Sequence, residues 1–122
     1  MKLLDDQAPD PWRGSQSAIA YFRTAVITTP QDWKVLWREH QAAQAAPAVD
    51  FAQWIVVGVF AGTRTDLVAV DIVNIQSLSD QILVTYREVP LGPNMGINPP
   101  NNRPYALRRI PKTTLPIHFK KI

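Results

Sequence analysis

"FAQWIVVGVFAG" (Phe51–Gly62) contains the longest apolar run of the chain, Trp54 to Ala61. A strand with one wet face alternates apolar and polar residues, so an unbroken run of this length predicts a central strand covered on both faces. The run is also far shorter than the ~18 residues a bilayer-spanning segment needs. No membrane span is expected elsewhere in the chain.

On the N-terminal side, Thr29-Pro30-Gln31-Asp32 reads as a helix start. Thr29 can cap, proline suits the first helical position because its missing N–H would be unpaired there, and Asp32 favours the positive end of the dipole. Trp33, Leu36, Trp37 and His40 then fall at i, i+3, i+4 and i+7, one face of an amphipathic helix, with Lys34, Arg38, Glu39 and Gln41 opposite. The helical pattern runs to about Gln44 and Pro47 closes it. Ahead of the helix, "YFRTAVITT" (Tyr21–Thr29) is β-branched and alternating, with Phe22, Thr24 and Val26 on one side.

On the C-terminal side, "LVAVDIVNI" and "QILVTYRE" read as the arms of a hairpin around Ser77–Asp80, with Ile82, Val84 and Tyr86 sharing a face. "YALRRI" and "LPIHF" follow as two short strands, the last an edge strand because Pro116 cannot donate a ladder bond. The sum is an α+β domain: a mostly antiparallel sheet of about six strands with one amphipathic helix packed on it. Residues 1–16, polar and without periodicity, read as a mobile lead-in that Trp12 could pin to the body, and 17–122 as a single domain.

Composition excludes several functions. The chain has no cysteine, which removes disulfides, thiolate metal sites and cysteine nucleophiles. The start, "MKLLDDQAPDPW", turns acidic at once and does not read as a signal peptide. Arg103, Arg108, Arg109, Lys112, Lys120 and Lys121 crowd the C-terminal end without an acidic neighbour, a pattern that reads as a solvated basic face. Tyr105 and Arg109 share a phase, but no second strand supplies the aromatic platform of an RNA-binding sheet, so no nucleic-acid partner is expected.

Catalysis needs a nucleophile, a base and an orienting group. His40 sits on the tryptophan face, where it reads as a packed core histidine, and His118 reads as exposed near the end of the last strand. Ser15, Ser17, Ser77 and Ser79 lie in the lead-in and a turn, outside any nucleophile-elbow pattern. Asp71 interrupts an apolar strand, which marks an outward position or an arginine pair. Two distant histidines without a carboxylate cluster make no metal site. Neither a metal nor a cofactor is expected, and no catalytic residues.

Three segments in order, "DWKVLWREH" (Asp32–His40), "VDFAQWIVVGVFAG" (Val49–Gly62) and "PYALRRIPKTTLPIHF" (Pro104–Phe119), resemble the C-terminal domain family of the protease complex subunit PrcB. The matching positions are Trp33, Leu36 and Trp37; Asp50, Phe51, Phe60 and Gly62; and Ile110, Pro111, Lys112, Leu115 and Pro116. The family's T-G-G-Y turn is replaced here by "TRTDL" (Thr63–Leu67). The resemblance implies a non-catalytic accessory or stabilising subunit for a protease or other exported protein, in the periplasm or secreted.

"PLGPNMGINPPNNRPY" (Pro90–Tyr105) is the remaining feature, with five of the eleven prolines. Loops of this length in a small domain tend to carry function. Leu91, Pro93, Asn94, Met95, Ile97, Arg103 and Tyr105 are the candidate partner-binding residues, because prolines lower the entropy lost on docking and Met, Tyr and Arg are common contact residues. The opposing expectation is that the apolar residues fold back and cap the sheet. Two alternatives remain: a protease inhibitor presenting the 90–104 loop, and a small hydrolase, which a change at His40 or His118 would expose.

Overall fold

β4 (Trp54–Phe60) is the strand around which the chain is layered. Val56 and Phe60 are buried on one of its faces, Ile55, Val57 and Val59 on the other. On the first face lies α1 (Pro30–Gln41), the only helix among the described residues, and it brings Trp33, Leu36, Trp37 and His40 into contact with the strand layer. Thr29 is extended and its Oγ1 accepts the Asp32 N–H at 3.1 Å, while Pro30 takes the first turn. The indole N–H groups of Trp33 and Trp37 donate to the carbonyls of Pro47 and Gln44. Burying a large apolar side chain contributes about 1.5–3 kcal/mol, so this face fixes the helix strongly. Gly58 helps: a Cβ there would lie 2.4 Å from Leu107 Cδ2, so the glycine leaves the room that Leu107 fills.

One helix covers only one face, and a second sheet covers the other. The expectation of one six-stranded sheet is therefore corrected to two four-stranded sheets. β2 (Arg13–Gly14), β7 (Tyr105–Pro111), β4 and β3 (Arg23–Ile27) form the middle layer in that order. β1 (Lys2–Leu3), β5 (Leu67–Ser77), β6 (Ile82–Pro90) and β8 (Ile117–Lys121) form the outer one. Val70, Ile72, Ile75, Ile82, Val84 and Tyr86 close the core between the sheets against Ile55, Val57, Val59, Ala106 and Ile110.

β5 and β6 make the expected hairpin, with Leu78 N–H donating to Gln81. β7 and β8 follow each other in sequence but belong to different sheets. The Pro116 carbonyl accepts the Ile82 N–H, and β8 continues from there parallel to β6 at the sheet edge. The other pairings between these strands are antiparallel.

The structure, a computed structural model, describes residues 2–3 and 12–122. The part of the lead-in expectation that falls on residues 1 and 4–11 lies outside them. Residues 12–16, assigned to the lead-in by composition, run along β7: Leu107 N–H donates to the Trp12 carbonyl, and the Trp12 ring sits 5.4 Å from that of Trp33. Among the described residues no helix is long and apolar enough to cross a membrane.

Candidate functional site

The chain between β6 and β7 divides into a held stem and a free tip. At the start of the stem, Leu91 N–H donates to the Asp66 carbonyl at 2.8 Å. At the far end two asparagines do the same work with side chains. Asn98 Nδ2 donates to the carbonyls of Thr65 (3.0 Å) and Leu67 (2.6 Å). Asn102, only 5% exposed, donates from Nδ2 to Arg64 (2.8 Å) and Leu67 (2.9 Å), and its carbonyl accepts the Arg64 N–H. Arg103 donates from Nε to Thr63 Oγ1 and from its amide to Ser15.

The floor of the loop is thus Thr63–Leu67. Its geometry is braced by Arg64, whose guanidinium grips both Asp66 oxygens at 2.9 Å and Glu88 Oε2 at 3.0 Å. The Asp66 hydrogen bond holds the Arg64 pKa up, and Arg64 in turn holds the Asp66 carboxyl below its usual range.

The tip is built differently. Met95 N–H closes a turn on the Gly92 carbonyl, and Met95 Sδ accepts the Gly92 N–H at 3.2 Å. Gly96 then reverses the chain at φ +81°, where other residues are strained. Pro93 and Asn94 are exposed, Met95 is 61% exposed and Ile97 is 95% exposed. These two apolar side chains do not fold back over the sheet.

Of the seven candidate residues, Pro93, Asn94, Met95 and Ile97 come together at the tip. Leu91 and Arg103 are half-buried in the stem. Tyr105 is corrected out of the set: it is 8% exposed on β7, packed in the helix-side core with its ring 4.3 Å from His40. Its phase along β7, together with Leu107, turns it toward the helix. Asn98, Asn102 and Arg64 were missed. Two side-chain amides in a proline-rich loop were the available signal, since such a loop has few backbone N–H groups with which to tie itself down.

The histidines are also placed. His118 is exposed on β8. His40 is 1% exposed, and Ser17, 4% exposed, meets its Nδ1 at 2.7 Å. Ser17 Oγ also accepts the Ile19 N–H at 3.1 Å. Burial pushes the His40 pKa down to about 4, so the ring is neutral. Trp37, Phe60 and Tyr105 box it in, and Nε2 has no hydrogen-bond partner among the described residues. The serine–histidine contact has the distance of a nucleophile and base, but both residues are buried and Nε2 meets no orienting group among the described residues. With Ala18 N–H on the His40 carbonyl, it ties residues 17–19 to the helix C-terminus. Among the described residues no group of three His, Cys, Asp or Glu could hold a metal ion. Protein-family models, curated proteins and solved structures contain no match to this chain.

Proposed function

We propose that this chain is a non-catalytic protein-binding domain whose contact surface is the tip of the β6–β7 loop. The observation that carries the reading is the contrast within one loop: a stem held by Asn98 and Asn102, and a tip that exposes Met95 and Ile97. Pro93 and the 99–100 proline pair stiffen what lies between, so less entropy is lost when a partner fixes it. The resemblance to the PrcB C-terminal domain family supports the kind of partner: a protease or other exported protein that this domain would stabilise as an accessory subunit, in the periplasm or secreted.

The test compares wild type with a Met95→Asp/Ile97→Asp variant of equal melting temperature in capture from cell-envelope and secreted fractions. A protease retained by the wild type alone, and longer-lived in its presence, supports the reading; equal capture by both proteins removes the tip from it. The same stem and tip also suit a protease inhibitor. Loss of turnover in a protease panel on adding the domain would favour that role over stabilisation.

A further inference from the structure

A cleft of about 400 Å³ opens where β5 and β6 of the outer sheet meet β7 and β2 of the middle sheet, away from the loop tip. Among the described residues three arginines line it, Arg13, Arg87 and Arg108, against a single carboxylate, Asp71. Arg13 Nη2 lies 2.5 Å from Asp71 Oδ1 and Arg87 Nη2 lies 3.7 Å from Oδ2. Asp71 thus balances one of three positive charges.

Arg108 is the most buried of the three. It shares a β7 face with Ala106 and Ile110, both in the core between the sheets, and is itself half-buried. A guanidinium has five N–H donors. Among the described residues its one hydrogen bond is long, Nη2 to the Ile72 carbonyl at 3.5 Å, and no carboxylate lies within ion-pair distance. That carbonyl belongs to a bulge: the β5–β6 register slips between Ile72 and Asn74, so Val73 opposes no residue of β6. The cleft therefore combines a half-buried guanidinium with spare donors, two exposed arginines at its rim, and apolar walls from Ile72, Val73 and Ala106. Forked guanidiniums match carboxylate and phosphate oxygens in pairs, and partial burial strengthens that attraction over its value in water. The volume is that of a small-ligand site rather than a macromolecular surface.

We infer that this cleft is a binding site for a small organic anion carrying two or more carboxylate or phosphate groups, held chiefly by Arg108 and closed over by Arg13 and Arg87. This inference is independent of the loop reading.

Citrate and inorganic pyrophosphate serve as the carboxylate and phosphate probes, titrated at constant ionic strength and followed by calorimetry and amide chemical shifts. The expected result is saturable binding of one equivalent, with shifts centred on Ile72, Val73 and residues 106–108; whichever probe is tighter identifies the anion class. Arg108→Met should weaken that binding by at least about tenfold, the loss of one charge-assisted pair. Arg38→Gln, on α1, should leave it unchanged. If Arg108→Met does not fold, Arg87→Gln at the exposed rim carries the same comparison. Saturable binding by neither probe, shifts spread over all basic surfaces, or equal weakening by Arg38→Gln and the cleft variants would overturn the inference.

Discussion

Two irregular segments flank β7, and they treat their apolar side chains in opposite ways. Residues 12–20 turn theirs inward: Ile19 is 4% exposed, Trp12 packs on Trp33, and Ser17 locks onto His40. Residues 91–104 hold no strand or helix and are also tied by hydrogen bonds, yet Met95 and Ile97 point to solvent. The first segment has no proline and the second has four, but composition alone does not say which apolar side chains are presented. What distinguishes the two segments is where the anchors stop. In the first segment they run throughout; in the second they hold the base and leave the tip.

That contrast can be broken from either side. On the inward segment, Ile19→Ala should cost about 3 kcal/mol, the usual loss for a buried aliphatic truncated to alanine, measured by denaturant unfolding. A comparable effect comes from acid. His40 is neutral when folded, with its pKa lowered to about 4, and titrates near 6.5 when unfolded. The unfolded chain therefore binds the extra proton between these values. This stability is full above about pH 6.5 and falls progressively as pH drops to about 4, by about 3 kcal/mol in all. His40→Asn, whose amide can still hydrogen-bond Ser17, should flatten that part of the pH profile.

In the loop stem, Asn102→Ala should cost about 2 kcal/mol, because the Arg64 and Leu67 carbonyls lose a buried donor. It should also raise amide exchange of residues 98–103 without touching that of α1. Asn98→Ala, half-exposed and sharing the Leu67 carbonyl with Asn102, should cost about 1 kcal/mol. At the tip, Ile97→Asp should shift stability by less than about 0.5 kcal/mol. A larger loss there would mean the tip packs on its own domain.

The elements that rest on local pattern were legible in the sequence. The Thr29 cap, the tryptophan face of α1, the doubly buried β4 and the β5–β6 hairpin each follow from residues within a few positions of one another. The division into two sheets was not, because residues 112–116 connect β7 to β8 over a distance that suits a hairpin. Instead they carry the chain to a parallel pairing with β6, a contact set by the distant Pro116–Ile82 bond. The alternation through β3 was legible as well: Phe22, Thr24 and Val26 share the exposed side, while Ala25 and Ile27 face the core. The loop was recognisable by composition. Its anchors were not, since Asn98 and Asn102 reach carbonyls more than thirty residues away. The same holds for the Ser17–His40 contact and the arginine cleft, each assembled from separate strands or segments.

The central claim is that the tip is a contact surface. The direct measurement places a photo-crosslinking residue at Ile97 and, as a control of comparable surface character, at Val35 on the exposed face of α1. Both proteins are irradiated in the source organism's envelope and secreted fractions. The account predicts a discrete adduct with one protein from position 97 alone, competed away by unlabelled wild type but not by Met95→Asp/Ile97→Asp. Adducts of equal pattern from both positions, or none from position 97 while the fold is intact, would contradict it.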